Sequence, residues 1–117
     1  MLGANPTDEA EISRLVDEIK SRAKNSIKYG NFPEAITLYT KAIELLPSNA
    51  ILHANRSMCH LTIGSVSEAV CDGQKAVELD STYAKAYYRL GAAHLMAKSY
   101  ADAKNFLEKG LELAPGM

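Results

Sequence analysis

The stretch Lys41–Pro47, KAIELLP, returns as KAVELDS at Lys75–Ser81 and as KGLELAP at Lys109–Pro115, each return 34 residues after the last. A strict period of that length marks a stacked repeat architecture, in which a unit buries its apolar face only against its neighbours. The period reaches well beyond the phrase. Ala35, Ala69 and Ala103 keep the step, each behind an acid (Glu34, Glu68, Asp102), and Ala42, Ala76, Gly110 and Ala23, Ser57, Gly91 form two further columns of small residues. Phe32, Val66, Tyr100 and Leu45, Leu79, Leu113 hold columns of large apolar ones. Large and small positions therefore alternate in register, as interlocking helices require.

Within one unit the spacing is that of a helix. Ala35, Ile36, Leu38, Tyr39, Ala42, Ile43 and Leu46 follow steps of three and four along one face. Gly30-Asn31 breaks the chain before this helix, and Pro33 suits its first turn, where a missing N–H removes no hydrogen bond. Gly64-Ser65 and Lys98-Ser99 hold the equivalent points, while Pro47, Ser81 and Pro115 close the units. The pattern predicts six helices, at about 8–28, 33–46, 50–63, 67–80, 84–97 and 101–113, with Asp8 and Glu11 as a capping box at the first. The small columns fall where paired helices cross and let them approach closely.

Size and composition are those of one globular domain: 117 residues, 47% hydrophobic and 23% charged, with a formal net charge of −1. Neither nucleic acid nor an anionic membrane is favoured as a partner by that balance. No apolar run reaches the roughly 20 residues of a membrane span, and the opening MLGANPT lacks the features of a secretory signal. A cytosolic or nuclear protein is expected. Cys59 and Cys71 are too few for a disulfide scaffold and read as small core residues.

Polar residues on the first helix of each pair carry the functional reading. Lys20 and Lys24 lie one turn apart, as do Lys85 and Arg89, and Asn55 stands 34 residues before Arg89. Two cationic patches thus flank an amide, an array suited to a peptide's carboxyl end through charge-assisted hydrogen bonds. A lysine or arginine on a helix face is ordinarily solvated surface, and it is the register of the group that argues otherwise. Lys28 continues the lysine stripe and reads as surface. His53, His60 and His94 show no metal-ligand spacing and read as packing residues, Ser57 has no activating partner, and the glycines form no phosphate loop. No catalysis and no cofactor are expected.

The 34-residue unit, the small residue of the first helix, the acid-Ala pair of the second and the closing prolines resemble the tetratricopeptide repeat (TPR) family, from about Val16 to Met117. The resemblance implies an all-α, right-handed superhelical stack of three helix-turn-helix units, repeats at about 16–49, 50–83 and 84–117, within a domain at 8–117 behind a flexible tail at 1–7. First helices of such stacks line a concave groove. His60 and Gly73 stand where bulkier residues are common, which predicts a loosely filled second repeat.

The cations also resemble the carboxylate clamp of co-chaperone TPR domains. That resemblance implies that Lys20, Asn55, Lys85 and Arg89 hold the Glu-Glu-Val-Asp type of tail that ends cytosolic heat-shock chaperones of the seventy- and ninety-kilodalton classes. Lys24 departs from it: an asparagine is usual there, and Asn25 next to it points about 100° away. The alternatives are a scaffold TPR that binds through another surface, and a targeting domain of an enzyme such as a TPR-containing serine/threonine phosphatase. No capping helix follows the sixth helix in this sequence. Its face around Phe106, Leu107, Leu111 and Leu113 is accordingly expected to be partly exposed and to support weak self-association.

Overall fold

The computed structural model describes residues 8–115, so the expected tail at 1–7 lies outside the described residues. Six helices follow one another: α1 Glu9–Lys28, α2 Phe32–Leu45, α3 Ala50–Thr62, α4 Val66–Leu79, α5 Ala84–Met96 and α6 Tyr100–Leu113. Every end falls within one residue of its sequence-based expectation. Short polar side chains start the first three helices. Asp8 accepts from the Ala10 N–H (3.3 Å), Asn31 from Glu34 (3.2 Å) and Asn49 from Leu52 (3.1 Å). At α2 the Asn31 side-chain NH2 also donates to the Glu34 carboxylate at 2.7 Å, while its backbone N–H bonds Ser26 O, so the box is not the usual reciprocal one. At α1 it does not form: Glu11 pairs with Arg14 at 3.6 Å instead. The turns inside the pairs pass through left-handed backbone at Gly30 (φ 77°), Gly64 (φ 85°) and Lys98 (φ 64°).

Helices pack as α1 on α2, α3 on α4 and α5 on α6, and the pairs join through α2–α3, α4–α5 and α3–α5. The result is elongated, 53 × 28 × 24 Å. Small columns lie at the crossings, as expected. Ala23, Ala35, Ser57, Ala69, Gly91 and Ala103 are all buried, the Ser57 hydroxyl donates to the Ala69 carbonyl at 2.7 Å, and a Cβ on Gly91 would sit 3.4 Å from the Ala103 oxygen. At this separation a larger side chain on either helix would force the pair apart. Among the described residues no helix is long and apolar enough to cross a membrane.

The second repeat differs from expectation in two respects. At Gly73 it is tight rather than loose, since a Cβ there would lie 3.0 Å from the Leu90 Cα and the glycine lets α4 touch the α5 backbone, whereas beside His60 a depression of about 350 Å³ opens between α3 and α4. Cys71 is exposed and not a core residue, whereas Cys59 is fully buried and its thiol is pushed up to about 11 by burial. A polar knot also replaces apolar packing here. Asp72, 5% exposed, receives a two-pronged hydrogen bond from Arg56 (Nε 2.7 Å, Nη2 2.8 Å), and Arg56 Nη1 donates to Thr40 on α2 at 3.0 Å. His53 Nδ1 and His60 Nε2 face the same carboxylate at 3.7 Å. One repeat later Phe106 takes the place of Asp72, with Tyr87, Leu90 and His94 around it; His94 stacks on its ring at 5.4 Å. The histidines thus fill gaps between helices. On α6, Leu111 is half exposed, and Phe106, Leu107 and Leu113 are partly buried.

Candidate peptide-binding groove

All five residues singled out from the sequence belong to the first helices of the pairs: Lys20 and Lys24 to α1, Asn55 to α3, Lys85 and Arg89 to α5. Lys24 and Lys85 are exposed, and Lys20, Asn55 and Arg89 are partly buried. Among the described residues no acid comes within 4.0 Å of any of the four cations; the ion pairs that form join Glu11 to Arg14, Asp72 to Arg56 and Glu112 to Lys109, with His53 and His60 also facing Asp72. Lys28, by contrast, lies over the Tyr29 ring at 5.8 Å from its centroid.

The α3–α5 side of the group is drawn together. These helices pack directly; burial raises the Cys59 thiol and the Tyr83 phenol, and the Arg89 charge lowers both. Arg89 Nε is buried without a hydrogen-bond partner among the described residues. On the other side no Cα of α1 comes within 8 Å of one on α3. Tyr39 of α2, 1% exposed, packs in a cluster with Val16, Ala23, Leu52 and Cys59 and fills the space between α1 and α3. The backbone of α1 that carries Lys20 and Lys24 is therefore separated from that of α3 by a layer of side chains. A depression of about 660 Å³ beside the end of α1 takes in Lys24, Lys28 and Tyr29, but none of Asn55, Lys85 or Arg89 lines it.

Tyr39, Cys59 and Tyr83 escape notice as site neighbours in the sequence. Tyr39 shares its repeat column with Gly73 and Leu107, so the repeat marks that position as packing and is silent on its hydroxyl.

Models of the tetratricopeptide repeat match residues 22–84 and 84–117. The chain belongs to the tetratricopeptide repeat family. Over 99 residues it is 42% identical to the protein SGT1 homolog of Oryza sativa subsp. japonica, covering 85% of this chain and 27% of that protein. To the Hsp70-Hsp90 organizing protein of Triticum aestivum it is 42% identical over 101 residues, covering 86% of this chain and 17% of the relative. The chain thus spans about a quarter or less of these TPR proteins. Its fold matches the second TPR domain of human RPAP3, solved in complex with the HSP70 peptide SGPTIEEVD, with a TM-score of 0.85 and 35% identity over 91% of this chain and 88% of that one.

Proposed function

We propose that this TPR domain is a co-chaperone module that grips the carboxyl-terminal, Glu-Glu-Val-Asp type of tail of seventy- and ninety-kilodalton heat-shock chaperones in the cytosol. In this reading the domain at 8–117 comprises repeats at about 16–49, 50–83 and 84–117, and Lys20, Lys24, Asn55, Lys85 and Arg89 form the site. The observation that carries it is the set of four cations around an amide on the first helices, none paired with an acid among the described residues. Unpaired cations beside a partly buried arginine favour an anionic occupant, and Arg89 offers a planar fork that matches a carboxylate. The RPAP3 domain, whose peptide ends in Glu-Glu-Val-Asp, supports that choice of tail. Binding is the whole of the module's chemistry; it holds a chaperone in place and transforms nothing.

Arg89→Ala tests the assignment. Removing a desolvated carboxylate partner weakens binding of a Glu-Glu-Val-Asp peptide by about 2 kcal/mol or more. Thermal stability stays near that of the parent, because Arg89 forms no ion pair within the described residues. Lys28→Ala, whose cation lies on Tyr29, leaves both quantities nearly unchanged. An Arg89→Ala protein that unfolds while still binding the peptide contradicts the assignment.

A further inference from the structure

Arg22, Lys24 and Lys28 line the depression of about 660 Å³ at the end of α1, together with Tyr29 and the start of α2 at Asn31 and Glu34. With Lys20 they place four of the chain's 13 lysines and arginines in the run 20–28, which holds no acid. All three lining cations are exposed, and among the described residues none lies within 4.0 Å of a carboxylate. Glu34, the acid of the lining, is held by the Asn31 NH2 at 2.7 Å. Tyr29 stands beside them with 75% of its surface in water.

The stack does not call for these charges. Their repeat equivalents are Arg56, Met58 and Thr62 on α3 and Leu90, Ala92 and Met96 on α5, and the one cation among those, Arg56, is bound to Asp72. A cation in a last turn complements the helix dipole, yet α3 and α5 end without a lysine or arginine there. Like charges at i, i+4, as in Lys20, Lys24 and Lys28, weaken a helix unless an anion lies between them.

We propose that this depression is a second binding site, for an internal acidic segment of a partner protein in extended conformation. Lys24 and Lys28 are separated by four residues of helix, about 6 Å of rise. Alternate side chains of an extended chain stand about 6.6 Å apart on one face, so carboxylates at alternate positions meet successive lysines. Arg22, on the same depression, offers a planar fork to a further one. Charge spread over this length suits separate carboxylates better than one compact phosphoryl group. None of Asn55, Lys85 or Arg89 lines the depression, so the segment binds here without a chain terminus.

The probe is a peptide acetylated and amidated at its ends, with glutamate at alternate positions and serine between, titrated into this domain at low salt and followed by NMR. Backbone shifts should concentrate at 22–34, and the glutamine counterpart of the peptide should cause none. Arg22→Gln with Lys28→Gln should weaken the acidic peptide about fivefold, as expected for two exposed ion pairs lost. The same variant should keep the parent's thermal midpoint and its affinity for a Glu-Glu-Val-Asp peptide. Lys104→Gln with Lys109→Gln, on α6, should change none of these. Absence of shifts at 22–34, an equal loss from the α6 variant, or tighter binding of a neutral peptide bearing one phosphoserine overturns the proposal. The blocked peptide has no terminal carboxylate, so these outcomes are independent of the groove reading, which fails only if free and amidated Glu-Glu-Val-Asp peptides bind alike.

Discussion

Lys98 holds a backbone conformation that its own side chain disfavours. The turns at Gly30 and Gly64 use glycine for the left-handed residue, and the third turn puts a lysine there at φ 64°. An L-residue costs roughly 1–2 kcal/mol in that region, and glycine returns about half of the gain through its freedom in the unfolded chain. Lys98→Gly should therefore stabilise the domain by about 0.5–1 kcal/mol, read as a higher urea midpoint with an unchanged slope; a lower midpoint would show that the lysine does something else. At Asp72 the balance differs. Its carboxylate is buried, yet Arg56 meets both oxygens, so the pair is satisfied where either partner alone would not be. The exposed Arg14–Glu11 pair, at 3.6 Å and with more than half of each side chain in water, contributes little.

Helix pairs are the scale at which this sequence is most readable. A column such as Ala35, Ala69, Ala103 states three times that nothing larger fits, and the break at Gly30-Asn31 marks a start that the Asn31 side chain enforces by accepting from the Glu34 N–H. Single departures from a column are harder to read. At Gly73 the missing side chain gives a closer approach rather than a looser one, which only the position of Leu90 on the next helix shows. Gly73→Ala tests this. Alanine gains about 1 kcal/mol of helix propensity, but the new methyl meets α5 backbone that cannot swing aside, and overpacking costs 1–3 kcal/mol. A net loss of about 1 kcal/mol is expected in denaturant unfolding. A more stable variant would mean that α4 and α5 have room to spare. The Arg56–Asp72 pair was hidden for a related reason: its partners lie 16 residues apart on different helices, and the only trace is an acid in a column otherwise held by Leu38 and Phe106.

Across the whole molecule the repeat does two jobs with one pattern. Its small and large columns build the stack, and the positions it leaves free on α1, α3 and α5 carry the charge. The five proposed site residues stand out in the sequence because repeat register places Asn55 and Arg89 equivalently and helical spacing pairs Lys20 with Lys24 and Lys85 with Arg89. Lys24 gives the α1 side two cations one turn apart, so attraction should be strongly electrostatic and should weaken as salt screens it. The central claim is that the groove reads a terminal carboxylate. Calorimetric titration of this domain with one peptide ending in Glu-Glu-Val-Asp, free and amidated at the carboxyl terminus, tests it most directly. The account predicts that the free peptide binds, more weakly at higher salt, and that the amidated one fails; equal affinity for the two would contradict it.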